Sequence, residues 1–172
     1  MGHSTRSAGE FLELLRAHDI QALADVRRFS TSKRHPHFAR ESLEPLLAAG
    51  DIRYEWIPDL GGRRTPRPDS TNTGWQTESF RGYADYMETP EFQVSFDQLV
   101  NLASTKRTAI MCAEALWWQC HRRLIADALV ARGHEVMHIH SPGPAPPHKL
   151  IPPATIRDGK LSYAPAQSEL GL

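Results

Sequence analysis

Four short apolar runs alternate with stretches of helical periodicity, and this alternation constrains the fold more than any other feature. The runs are "ALADV" (22–26), "IRYEWI" (52–57), "TAIMC" (108–112) and "EVMHI" (135–139). A brief apolar run bounded by turn signals suits a buried strand, whereas apolar residues at i, i+3, i+4 and i+7 suit one face of a helix. Strands separated by helices pair through crossovers, which favours a parallel sheet covered on both faces. The expected fold is therefore α/β, a three-layer sandwich with a mostly parallel sheet and helices on both faces.

Local signals place the helices. "SAGE" from Ser7 to Glu10 is a capping box, and Phe11, Leu14 and Leu15 follow at helical spacing, giving a helix over 8–18. "SLEPLLAAG" reads as a second helix closed by Gly50 in the C′ position. Thr89 caps and Pro90 opens a third, whose stripe is Phe92, Phe96, Leu99, Val100 and Ala103. A fourth is expected from about Trp118 to Arg132, stopped by Gly133. The Asp-Gly pair in "TIRDGKLSY" marks a two-residue hairpin, and the last residues read as frayed.

At 172 residues the chain suits one α/β domain over 1–172, with a long loop at 58–82 and a hairpin-like extension at 141–172. No signal peptide and no run of 18 apolar residues is evident, so a soluble, cytoplasmic protein without membrane contact is expected. The 20 basic and 20 acidic residues cancel, so no global field recruits a polyanion, yet residues 27–40 hold five Lys or Arg and no acid. Two cysteines are too few for a disulfide scaffold, which leaves catalysis, metal binding or packing.

Both cysteines fall where a strand hands over to a helix, in "TAIMCAEALWWQCHRRLIADAL". Ligands of parallel α/β sheets bind beyond the carboxyl ends of the strands, so Cys112 and Cys120 would face that crevice. Cys120, read as a first-turn residue, would feel the positive end of the helix beside His121 and Arg122, which favours a thiolate. Simple burial is the competing reading, and more so for Cys112. Glu114 either pairs with an Arg or sits in a site that raises its pKa for proton transfer. A phosphatase-type loop would need Arg where Trp118 stands, and "AEALWW" lacks the glycine of a rhodanese-like loop, so sulfur transfer is only a distant alternative. No Cys or His pair has zinc-site spacing, and adjacent Cys and His on a helix point apart, so no metal and no cofactor are assigned.

The blocks "GHSTRS", "DVRR", "LGGRR", "SFRGYADYM", "MCAE" and "CHRRLIADAL" resemble, in this order and over nearly the whole chain, the domain of unknown function family 488. The resemblance implies a single α/β domain and a site at Cys112, Glu114, Cys120, His121 and Arg122. It carries His3, Ser4, Asp25 and Arg27 to the same edge, where Asp25 and Arg27 either meet a ligand or pair with one another. Similar chains place a proline two residues after the Arg of "DVR", where this chain has "RRFSTS", and run a strand into "GHST", where Met1 alone precedes Gly2.

The loop residues Gly61, Gly62 and Arg63 suit an anion nest, with Arg34, Arg81 and Arg122 as further phosphate donors and Trp75 as a stacking face. Two functions follow. The first is an enzyme acting on a phosphate-bearing substrate (a nucleotide, nucleobase or nucleic acid), with Cys120 or Cys112 as nucleophile, Glu114 as acid/base and His121 as its partner. The second is a non-catalytic module that binds nucleic acid or another anion. The oligomeric state is left open.

Overall fold

A computed structural model describes residues 1–157 and 159–165. Its order is α1 (Ala8–Ala17), β1 (Ala22–Asp25), α2 (Arg40–Ala48), β2 (Arg53–Trp56), α3 (Glu78–Met87), α4 (Pro90–Thr105), β3 (Thr108–Met111), α5 (Arg122–Ala131), β4 (Thr155–Arg157) and β5 (Lys160–Ser162). The first three strands form a parallel sheet in the order β2-β1-β3, with Ala22 opposite both Arg53 and Thr108. The expected capping box at Ser7–Glu10 and the Thr89 cap are both formed.

Strand alternation sends successive side chains to opposite faces of the sheet. Leu23, Ala109 and Met111 join Phe11, Leu14 and Leu15 of α1 and Leu43 and Leu47 of α2 in one apolar cluster. Ala22, Ala24, Val26 and Cys112 join α3, α4 and α5 in the other. Helices thus cover both faces, and the molecule is an α/β sandwich. Tyr83, fully buried between α3 and the sheet, gives its hydroxyl hydrogen to Leu60 O at 2.7 Å and ties down the start of the long loop. Further along, Asp85 accepts from Ser70 Oγ, Asn72 Nδ2 and Arg67 N, so the loop is pinned by polar bonds rather than by a period of its own.

Two expectations need correction. "EVMHI" is not a sheet strand: Met137 makes only an isolated antiparallel bridge to Pro147, while His138 N and His148 N bond across the same fold-back to Pro146 O and Val136 O. Its backbone is occupied by the proline-rich segment, and a cavity of about 540 Å³ lies between it and the edge of β3. Among the described residues, the ladder-like contacts on that edge come from Met1–Ser4, through Gly2 opposite Cys112 and the bonds to residues 110–113. Gly50 closes α2 in the C′ position as expected, after the Ala49 C-cap, and bonds back to Leu47 O, while the left-handed conformation falls one residue later, on Asp51 (φ 56°). The predicted helix from Trp118 is a one-turn 3-10 helix, Trp117–Gln119, followed by an extended Cys120 (φ −126°, ψ 150°) and then α5.

Gly133 (φ 82°) ends α5 as expected, and β4 and β5 form the expected antiparallel hairpin. Asp158 of its turn, and the terminal residues expected to fray, lie outside the described residues. Among the described residues no helix is long and apolar enough to cross a membrane.

Candidate functional site

The carboxyl edge of the sheet carries two polar clusters, one on each face. Pleat parity separates them, since Asp25 and Cys112 are in neighbouring strands but point to opposite sides. The Asp25–Arg27 pair and the Cys112 thiol therefore face opposite sides of the sheet.

On the α1/α2 face, Arg27 forms a fork onto Asp25, with Nε 2.8 Å from Oδ1 and Nη2 2.5 Å from Oδ2. Tyr54 donates its hydroxyl to Asp25 Oδ2 at 2.7 Å, and Arg27 Nη2 also donates to Phe38 O at 2.9 Å. His3 stacks on Phe38 with ring centroids 4.2 Å apart and sets Nε2 3.4 Å from Arg27 Nη1. All of Asp25, Arg27 and His3 are buried. Burial lowers the His3 pKa from 6.5 to about 4, so the ring is neutral at ordinary pH. Each Asp25 oxygen has a partner within the protein, so the geometry is that of the internal Asp–Arg pair rather than of a ligand-facing carboxylate. Ser4 (φ 51°) holds the chain end by N–H to Ala113 O and accepts from His3 Nδ1 at its carbonyl.

On the α3–α5 face, Cys112, Cys120 and His121 offer one donor atom each, all within 4.8 Å of one another. Cys120 Sγ lies 3.5 Å from His121 Nδ1 and accepts from Arg122 Nε at 3.4 Å. His121 Nε2 lies 3.1 Å from Val26 O. A carbonyl only accepts, so Nε2 carries the hydrogen and Nδ1 presents its lone pair to the sulfur when the ring is neutral. The Cys112 thiol donates towards Cys120, which lowers the Cys120 pKa with added help from His121 and Arg122 and raises that of Cys112. The expectation that adjacent Cys and His diverge fails because Cys120 is extended and His121 is the N-cap: only past His121 does the helix begin to splay side chains.

The "LGGRR" turn lies over this cluster because it lacks side chains there. A Cβ at Gly62 would fall 2.9 Å from His121 Nδ1, and one at Gly61 would fall 2.7 Å from the Arg28 backbone. Arg64 anchors the turn from outside, its guanidinium 3.5 Å from the centre of the Tyr86 ring and Nε donating to Gly61 O. Gly2 is equally constrained on the other side, since any Cβ would collide with the Glu114 peptide. Arg122, itself buried, donates to Glu114 O and thereby fixes the loop after β3.

Three sequence-predicted residues fall elsewhere. Glu114 points its carboxylate to solvent: the residue is exposed and among the described residues has no ion-pair partner, so Arg122 holds its carbonyl, not its carboxylate. Trp75 is 6% exposed, with Arg123 over its ring at 4.6 Å and Phe80 and Tyr163 beside it; no face remains for a base. Arg81 leans on Glu78 of its own helix at 3.9 Å. By contrast Arg28, Lys33, Arg34 and Arg63 are exposed and among the described residues form no salt bridge, and Phe29 (65%) and Trp118 (43%) are exposed near the same edge.

One network escaped the sequence reading. Asp127 in α5 accepts from His148 Nε2 at 2.7 Å and Tyr163 O–H at 2.9 Å, and His148 Nδ1 meets His138 Nε2 at 2.9 Å. His138 stacks on Trp117 at 3.7 Å, and burial lowers its pKa to about 3. The available signal was a charged residue inside the apolar stripe of α5; its partners, far away in a proline-rich segment, could not be read.

Fold and site together define an α/β protein with a sulfur-centred cluster beyond the strand ends. Residues 7–129 match the family described as Domain of unknown function DUF488, and the chain belongs to that family. No curated protein and no solved structure matches the chain.

Proposed function

We propose that the protein is an enzyme acting on a phosphate-bearing substrate, with Cys112, Cys120, His121 and Arg122 as its reaction centre. One observation carries this reading: donors from the end of β3 and the start of α5 converge under a turn from a distant block, Gly61–Gly62, where any Cβ would collide. A packing role would not need an imidazole and a guanidinium both aimed at one sulfur. Arg122 stabilises negative charge at Cys120 directly, and His121, whose Nδ1 lone pair faces the sulfur, does so once it has taken up the thiol proton. Gly61 and Gly62 allow close approach, and the unpaired Arg28, Arg34 and Arg63 supply bidentate donors for phosphate oxygens. Glu114 drops out of the expected acid/base role because it is exposed and unpartnered, and His121 takes its place as the proton carrier beside the sulfur.

A second reading, a non-catalytic module for nucleic acid, draws support from the exposed Phe29, which follows Arg28 in the chain, and from the exposed Trp118. Incubation with nucleotides and short single-stranded oligonucleotides, followed by mass spectrometry of the products, separates the two. The enzyme reading expects conversion that Cys120→Ser abolishes while binding persists. Binding without conversion by the wild type would favour the module, and neither binding nor conversion would overturn both.

A further inference from the structure

We infer that Cys112, Cys120 and His121 form a binding site for a soft divalent metal ion of the zinc class, with a fourth coordination position left for an exogenous ligand. The inference rests on the reaction-centre reading above and assigns that centre a cofactor: with an ion bound, Cys120 is a ligand, and the reacting group is whatever takes the fourth position.

The geometry comes first. Zinc–sulfur bonds of about 2.3 Å and zinc–nitrogen bonds of about 2.0–2.1 Å at tetrahedral angles put donor atoms roughly 3.5–3.8 Å apart. Cys120 Sγ and His121 Nδ1 are 3.5 Å apart, and all three donors lie within 4.8 Å. The set is two sulfurs and one imidazole, which soft or borderline ions prefer over harder ones. No disulfide removes the sulfurs, since both cysteines are free.

The surroundings also match what a metal ligand needs. A ligating histidine usually gives its other N–H to a carbonyl or carboxylate, which fixes tautomer and ring orientation. His121 does this, with Nε2 on Val26 O, and so aims Nδ1 at the sulfurs. Arg122 Nε donates to Cys120 Sγ from outside the donor set, as outer-shell groups do. Two thiolates and a neutral imidazole cancel a 2+ ion, so the loaded centre is neutral in a buried place where an uncompensated charge is costly. Gly62 leaves free the space beside Nδ1 that any Cβ would invade.

The neighbouring histidine network differs in each respect. His138 and His148 spend ring nitrogens on each other and on Asp127. Among the described residues, Cys112, Cys120 and His121 are the one such group of three with donors this compact.

An open fourth position gives the ion a task, because three protein ligands plus one exchangeable ligand is the arrangement of catalytic rather than structural zinc. The ion would act as a Lewis acid towards an oxygen of the anionic substrate, with Arg28 and Arg63 at hand for its remaining charge.

The test uses the full chain, reduced and stripped with a chelator, titrated with Co²⁺ as spectroscopic probe and then with Zn²⁺. Expected is one ion per chain, with visible absorption of a tetrahedral site and a near-ultraviolet sulfur-to-metal band, both displaced by Zn²⁺. Cys112→Ser and Cys120→Ser should each weaken binding by more than the roughly 10–100-fold that loss of an outer-shell partner costs. Absence of the sulfur band in wild type, or its persistence at undiminished intensity and affinity in both serine variants, would overturn the proposal. Should those variants fail to fold, X-ray absorption of the zinc-loaded wild type decides: two sulfurs and one nitrogen support the site, and a shell of nitrogen and oxygen alone refutes it. Uptake of the ion without binding or conversion of any nucleotide or oligonucleotide would leave the metal site standing and remove the substrate reading. Conversion by metal-free protein that takes up no sulfur-bound ion would do the reverse.

Discussion

The Asp25–Arg27 cluster and the Cys112–Cys120–His121 cluster sit at the same edge of the same sheet, one strand and one face apart, yet their chemistry is opposite. In the first, both Asp25 oxygens are met by Arg27 and Tyr54, and Arg27 also reaches Phe38 O. In the second, two sulfurs and an imidazole nitrogen crowd together, and among the described residues their further partners are Arg122, Val26 O and the Glu114 backbone. Buried polar groups that are fully paired hold a fold in one arrangement. Those with donor capacity to spare are the ones able to bind something.

The largest expected effect tests the first half of this contrast. Arg27→Met leaves the Asp25 carboxylate buried beside an apolar chain, and removing one partner of a buried pair costs about 3–5 kcal/mol. Urea unfolding should show that loss. Unchanged stability combined with weaker nucleotide binding would instead make Arg27 a ligand residue and collapse the distinction.

The same cluster should respond to acid. His3 and, across the sheet, His138 are held neutral in the fold, with pKa values lowered by burial from 6.5 to about 4 and about 3. The unfolded chain therefore binds protons more readily, so the stability contributed by keeping these rings neutral is complete above pH 6.5 and falls as the pH drops towards 4. Melting temperatures across that range should decline, and His3→Gln should flatten part of the slope. A flat profile in the wild type would mean that both rings are solvated.

Gly62→Ala probes how closely the turn seals the sulfur cluster. The new methyl would lie 2.9 Å from His121 Nδ1. Overpacking of this kind costs about 1–3 kcal/mol, and it should reduce metal uptake or turnover by more than it lowers stability. Full function in this variant would show that the turn is not part of the centre.

Smaller effects belong to the exposed cations. Arg28→Ala and Arg63→Ala should leave stability within about 0.5 kcal/mol, as surface substitutions do. Each should weaken nucleotide binding roughly tenfold, the equivalent of one charge-assisted hydrogen bond. Unaltered binding in isothermal titration would reduce them to a solvated surface. Smallest of all is Glu114→Gln, expected to change neither binding nor turnover, because its carboxylate is exposed and unpaired; a loss of turnover would return it to the centre.

Local chemistry determined much of this protein without any coordinates. The Ser7–Glu10 box, the Thr89–Pro90 start and the Gly133 stop depend on residues within a turn of one another, and β1, β2 and β3 announce themselves as apolar runs. The family blocks likewise brought Cys112, Cys120, His121 and Arg122 together as candidates. What tertiary structure decided was where each side chain points and what it meets. Parity could say that Asp25 and Val26 face opposite ways, but only the packed helices show that α1 and α2 cover one side and α5, with the sulfurs, the other. "EVMHI" has a strand's composition, but the 146–148 segment took up its backbone partners. Trp75 and Glu114 both looked like site residues; one was buried by Arg123 and Tyr163, the other left in water. These outcomes depend on partners outside the segment itself, close by in sequence for "EVMHI" and far away for Trp75, whose positions follow from packing the whole chain and leave no periodic trace in the segment.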